Sequence, residues 1–166
     1  MRILIQRVKN AKVVVGGNTV SGITHGLLLL VGIGREDGMN DLERLSMKVV
    51  NLRIFEDEKG KMNLNIIQSG GEIMSVPQFT LYADVRKGNR PGFDKSAEPG
   101  LAEEKWRRFN DKLRDKGVVV HEGVFGAHME VGLINDGPVT IWLDSGDSLA
   151  TDLPAGGHAH TDYRNK

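Results

Sequence analysis

A chain of 166 residues with 39% hydrophobic and 27% charged side chains has the bulk and balance of a single globular domain. Its 22 basic and 22 acidic residues cancel, which argues against a long grip on nucleic acid, because such proteins carry a basic excess. Zero cysteines exclude disulfides, thiol catalysis and thiolate metal sites. The longest apolar run, Leu27 to Val31, reads as a buried strand and is far short of a membrane span. No secretory signal is visible at the N-terminus, so the expected location is cytoplasmic and no membrane partner is expected.

In chain order, Arg2 to Val8 and Ala11 to Val15 read as two strands with Lys9-Asn10 as a tight connection. Gly16-Gly17-Asn18 marks a turn before Thr19 to Ile23, and Leu27 to Ile33 follows as a strand buried on both faces. Asn40 to Asn51 is the first predicted helix, capped by Asn40 with Glu43 in capping-box position and with Leu42, Leu45 and Val49 at helical spacing. Asp57-Glu58-Lys59-Gly60 suits a charged hairpin tip better than a metal site. Ala97 to Lys116 is the second predicted helix, burying Ala102, Trp106, Phe109 and Leu113, and Gly117 stops it. Strands are predicted at Val118 to Val120, Met129 to Ile134 and Val139 to Leu143. The expected class is α+β, one compact domain over 1–146 with a strand-rich, barrel-like core and two main helices. Residues 147–166 have little to bury and read as a polar tail. His158 and His160 in that tail lack a third ligand, so no metal is expected.

Two stretches carry the chemistry. Val76 to Phe93, V-P-Q-F-T-L-Y-A-D-V-R-K-G-N-R-P-G-F, begins with the strand-favouring Phe79, Thr80, Leu81 and Tyr82 and breaks into a loop holding Arg86, Lys87 and Arg90. An amide (Gln78), a hydroxyl (Thr80) and free backbone N–H groups beside three cations suit a phosphate-bearing ligand; a strand followed by a solvated basic loop is the plainer alternative. Asn135-Asp136-Gly137-Pro138-Val139-Thr140 lies between strand-like runs, where proline is confined to an edge, a bulge or a special turn and where a cis peptide is affordable. No H-E-x-x-H and no G-x-S-x-G is present, and His25, His121 and His128 belong to no hydrolase motif.

P-Q-F-T-L and N-D-G-P-V-T, with I-L-I-Q-R-V near the start, L-R-I-F at 52–55, G-K-M-N-L-N at 60–65 and R-P-G-F at 90–93, make the chain resemble the D-aminoacyl-tRNA deacylases over about residues 1–144. The resemblance implies a deacylase-type fold, a homodimer and an enzyme that hydrolyses the ester of D-aminoacyl-tRNA at its 3′-terminal adenosine, without a cofactor. It also implies tolerance of glycine, including glycyl-tRNA mischarged on tRNA(Ala). A charge-neutral protein agrees with so local a grip. As the resemblance implies, backbone N–H groups at Phe79 and Thr80 hold the oxyanion and the adenosine 2′-hydroxyl assists water, while Gln78 orients substrate and Phe79 walls the adenosine pocket. A Thr80 nucleophile is the competing route, although no partner base is evident beside it. Gly137-Pro138 from the partner subunit is implied to reject L-esters by collision, and Arg7 of Q-R-V to brace that motif. Pro77 departs from the serine usual before Q-F-T-L, which puts any serine hydroxyl role in doubt. A noncatalytic RNA-end or nucleotide-binding module is the alternative: it would keep the basic loop and a stacking Phe79 but need no Gly-Pro gate.

Overall fold

The computed structural model describes residues 1–147; the predicted tail from residue 148 on, with His158 and His160, lies outside the described residues. Eight strands and two helices run β1 (Arg2–Val15), β2 (Asn18–Ile23), β3 (Gly26–Gly32), α1 (Met39–Asn51), β4 (Phe55–Glu56), β5 (Met62–Leu64), β6 (Glu72–Pro77), α2 (Pro99–Asp115), β7 (Val120–Glu122) and β8 (Glu130–Asp144). The main sheet has the order β2-β1-β3-β6-β7, with β8 also pairing β1, and β4-β5 forms a separate hairpin. The β3–β6 and β6–β7 pairs are parallel, so each needs a crossover; α1 and α2 lie in those connections. Ser21 Oγ of β2 donates to the Glu122 carbonyl of β7 at 2.9 Å, which draws the two ends of the sheet together into a nearly closed barrel. The α+β, barrel-like expectation with two helices holds.

β1 is one continuous strand, which corrects the turn expected at Lys9-Asn10. Arg2 to Val8 pairs with β3, Ala11 to Val15 pairs with β2, and β8 runs along the other edge. Lys9-Asn10 is therefore where β1 changes partner. β8 is likewise continuous where two strands were expected. Leu27, Leu29 and Val31 face the helices and Leu28 faces the opposite cluster with Val8, Val13, Met74 and Val76, which is why β3 reads as unbroken hydrophobicity.

Asn40 does not cap α1. Gly38 is the N-cap, and Asp41 reaches back to accept its N–H at 2.8 Å. Glu43 instead accepts from Lys112 at 2.6 Å and Lys116 at 2.8 Å, tying α1 to α2; those hydrogen bonds hold its carboxyl down to about 2. α2 starts two residues later than predicted, with Pro99 in its first turn, and buries Ala102, Trp106, Phe109 and Leu113 as its spacing required. β7 is displaced to Val120–Glu122 from the predicted Val118 to Val120.

Asn110 shares that buried face, fully enclosed, and neither its amide nitrogen nor its oxygen has a protein partner. A polar group buried without a partner costs about 1–3 kcal/mol. Asn110→Leu should accordingly raise unfolding stability in urea by roughly that amount. A drop instead would mean that an internal water satisfies the amide.

Candidate active site

The strand expected through Phe79-Thr80-Leu81-Tyr82 stops at Pro77, and the next residues form a 3-10 turn, Phe79–Tyr82. Pro77 has no N–H to extend a ladder, and the last sheet-like bond is Gln78 N–H to the Val31 carbonyl at 2.7 Å. Strand-favouring residues serve here as anchors: Tyr82 is buried and its hydroxyl donates to Asp37 Oδ2 at 3.3 Å. Burial and then the Asp37 carboxylate push the phenol pKa up. Gly34 permits this close approach, since a Cβ there would meet the Tyr82 hydroxyl at 2.6 Å.

Anchored in this way, the turn presents Phe79, 54% exposed, and Thr80 outward. Gln78 Nε2 donates to Thr80 Oγ1. The first N–H groups of such a turn, those of Phe79 and Thr80, have no partner within it. Phe79 meets Phe93 edge-on with ring centroids 4.9 Å apart, and both line a groove of about 660 Å³ with Pro77, Gln78, Phe125 and Met129. Arg35, Asp94, Glu98 and His128 also line it. No carboxylate or imidazole among the described residues is hydrogen-bonded to Thr80. Sequence reasoning missed Phe125 and Met129 as groove residues, although it placed Met129 in a strand; a loop between β7 and β8 brings both there, and their only signal was the apolar character of the connection G-V-F-G-A-H-M.

The basic loop is closed by paired backbone bonds between Asp84 and Gly92, at 2.8 and 2.9 Å. Arg86 forks onto Asp84, with Nη2 to Oδ2 at 2.5 Å, and this hydrogen bond holds the Asp84 carboxyl well below its ordinary range. Arg86 is thus committed within the loop. Lys87 and Arg90 are exposed and carry no ion pair among the described residues.

A second cluster surrounds Gly137-Pro138, whose peptide bond is cis. Gln6 pairs with Thr140 and Val8 with Asn135, so Asp136 to Val139 stand opposite Arg7 alone and bulge from the strand. The bulge lies on an edge strand, where the sequence required the proline to be. Asn135 staples it from within, its Oδ1 accepting Val139 N–H at 2.8 Å and its Nδ2 donating to Thr140 Oγ1 at 3.1 Å. Arg7 is only 5% exposed; its Nε donates to the Asp136 carbonyl at 3.1 Å and its Nη1 to the Ile54 carbonyl at 2.5 Å. Gly137 and Pro138 themselves are exposed.

Gln78, Phe79, Thr80 and Pro77 therefore share one region, and Gly137, Pro138 and Arg7 another. The groove at Gln78 is lined by neither Gly137 nor Pro138, and Arg7 and Asp136 border a separate hollow of about 340 Å³. His25 stacks edge-on with Phe55 and His121 pairs with Glu72 at 3.3 Å; of these three histidines, His128 is the one lining the groove.

The family model of D-Tyr-tRNA(Tyr) deacylase matches residues 4–144. The D-aminoacyl-tRNA deacylase of Thermosipho africanus is 52% identical over 145 residues, covering 87% of this chain and 97% of that protein. That of Thermomicrobium roseum is 55% identical over 147 residues, covering 89% and 96%. Among solved structures, one of a c-Myc DNA Unwinding Element Binding Protein is 41% identical with a TM-score of 0.83, covering 87% of this chain and 98% of its own.

Proposed function

The chain belongs to the D-Tyr-tRNA(Tyr) deacylase family and is a hydrolase of the aminoacyl ester of D-aminoacyl-tRNA; from that premise we propose that it selects D-esters with a site shared between two copies of itself. The observation that carries this reading is the Gly137-Pro138 bulge. It is held from behind by a buried arginine and from within by Asn135, yet both residues are exposed and neither lines the groove of their own chain. A braced turn that lines no part of the groove in its own chain suits a partner's site. In a two-fold dimer each bulge would enter the other's groove. The exposed Trp142 and Ile134 on the same strand, 45% and 53% accessible, supply apolar surface for that contact.

In the shared site the terminal adenosine of the tRNA occupies the groove between Phe79 and Phe93, with Gln78 orienting the aminoacyl group. Phe79 and Thr80 N–H groups receive the oxyanion that forms as water attacks the ester carbonyl. Thr80 Oγ1 is bonded to an amide that donates and cannot take up a proton, so the proton of the attacking water passes by way of the adenosine 2′-hydroxyl to the 3′ oxygen. That oxygen leaves as the acyl C–O bond breaks and the free amino acid departs. Pro77 offers no hydroxyl, and the mechanism asks for none. Backbone carbonyls of the partner's Gly137-Pro138 crowd the substrate's alpha carbon, so an L side chain collides, a D side chain points away, and glycine, as on mischarged glycyl-tRNA(Ala), passes. Lys87 and Arg90 meet phosphates of the acceptor end. No helix among the described residues is long and apolar enough to cross a membrane, and the cytoplasm is where such a substrate resides.

The neighbour named as a DNA-element-binding protein favours a second reading, nucleic-acid binding without catalysis. Formal net charge of +0 weighs against an extended duplex footprint. Incubation with D-tyrosyl- and L-tyrosyl-tRNA decides between them: loss of the D-ester alone supports the deacylase, and survival of both esters with retained RNA binding supports the module. Sedimentation should show a dimer; an active monomer would defeat the shared site.

A further inference from the structure

We propose that Arg2 is a positioning residue that fixes the Gln78–Tyr82 turn relative to the strand carrying Gly137-Pro138; this rests on the deacylase reading above. The turn has few bonds of its own. Leu81 N–H reaches the Gln78 carbonyl at 3.4 Å and Ala83 N–H the Thr80 carbonyl at 3.0 Å, and its outer face, Phe79 and Thr80, is exposed. Arg2 supplies what the turn lacks. Its Nη1 donates to the Leu81 carbonyl at 2.9 Å, while its Nε donates to Asp144 Oδ2, also at 2.9 Å. Its guanidinium lies 4.5 Å from the centroid of the Tyr82 ring and 5.8 Å from that of Trp142.

Asp144 and Trp142 belong to β8, the strand that carries the Gly-Pro bulge. One guanidinium therefore bridges the oxyanion-side turn and the strand of the stereochemical gate. The planar fork makes two directed bonds and a stacking contact together, which a lysine ammonium cannot reproduce although it keeps the charge. Displacement of the Phe79 and Thr80 N–H groups by about 1 Å would cost on the order of 100-fold in rate. Substrate binding would suffer less than the rate, because Phe93 and Phe125 of the groove lie outside the turn that Arg2 holds, although Phe79 moves with it.

The test uses the full chain with Arg2→Lys and, independently, Asp144→Ala, which removes the anchor on the opposite side. Steady-state kinetics on D-tyrosyl-tRNA and amide hydrogen exchange of the unliganded protein are read together. The expected result is a fall in kcat of about 10- to 100-fold with a much smaller rise in KM. Ala83 N–H should exchange faster while amides of β3 and β6 do not, and the double variant should be no worse than the more damaged single. Unchanged kcat, a rise in KM alone, or a fall in kcat without faster exchange at the turn would each overturn the assignment. So would faster exchange throughout the sheet, the mark of a merely structural arginine. A wild-type protein inert toward D-tyrosyl-tRNA would overturn the deacylase reading instead, and the exchange measurement would still decide whether Arg2 holds the turn.

Discussion

Gly137→Ala should lose about 100-fold or more in D-tyrosyl-tRNA hydrolysis while the protein stays folded. Gly137 has φ +128°, and a Cβ built there would lie 2.7 Å from Val139 Cγ2, 3.1 Å from Val139 N and 3.1 Å from Arg7 Nη2. Such a backbone costs an L residue roughly 1–3 kcal/mol. The neighbours cannot yield, because Val139 packs on the core and Arg7 is buried and bonded on both sides. Relief must come from movement of the bulge itself, and in the proposed shared site the bulge is what meets the substrate. Gly60→Ala is the control, since Gly60 also has positive φ (+70°) but nothing within 4 Å of a Cβ; it should lower stability without touching the rate. A Gly137→Ala enzyme with wild-type rate and wild-type rejection of L-tyrosyl-tRNA would remove the bulge from the mechanism.

A tRNA ending in 2′-deoxyadenosine, charged on its 3′ oxygen, should bind normally and turn over about 10²- to 10⁴-fold more slowly, the usual scale for a positioned proton-transfer group. Thr80→Ala should in contrast retain activity within about tenfold, because Thr80 Oγ1 has only the Gln78 amide beside it and so lacks the base that a nucleophilic hydroxyl requires. The two measurements pull in opposite directions for the two routes. Ordinary turnover of the deoxy substrate, with collapse of the Thr80→Ala rate by about 10⁴-fold, would establish the hydroxyl as nucleophile.

Much of this was legible in the residues. The periodicity of Leu42, Leu45 and Val49, and of Ala102, Trp106, Phe109 and Leu113, placed both helices on the core because burial and 3.6-residue spacing are the same constraint. Pro138 within strand-like sequence demanded an edge or bulge, and it sits in one. What failed were the places where tertiary contacts outvote local preference. Phe79 to Tyr82 favour a strand by type, but Pro77 ends the ladder and Gly34 opens room for Tyr82 to tuck in, so the segment turns. Lys9-Asn10 looks the same in sequence whether a strand reverses or changes partner. Asp41, rather than Glu43, completes the cap because the cap lies two residues earlier, at Gly38 and not Asn40. The groove could not be read at all: Phe93 comes from one loop and Phe125 and Met129 from another, and only the topology unites them.

The unbroken course of β1 has a further consequence for how such a protein tolerates change. Arg2 and Arg7 stand on the same strand, one reaching the turn of the groove and the other the bulge. At about 3.4 Å per residue their Cα atoms are held about 17 Å apart by covalent geometry, not by side-chain packing. The strand thus acts as a ruler between the two parts to which the proposed mechanism gives catalysis and stereochemical selection. Drift in the hydrophobic core can shorten the protein's thermal lifetime without recalibrating that ruler, and surface loops can lengthen at no cost to it. A single inserted residue between Arg2 and Arg7 is the exception: it would turn one arginine to the wrong face of the sheet and uncouple the two parts in one step.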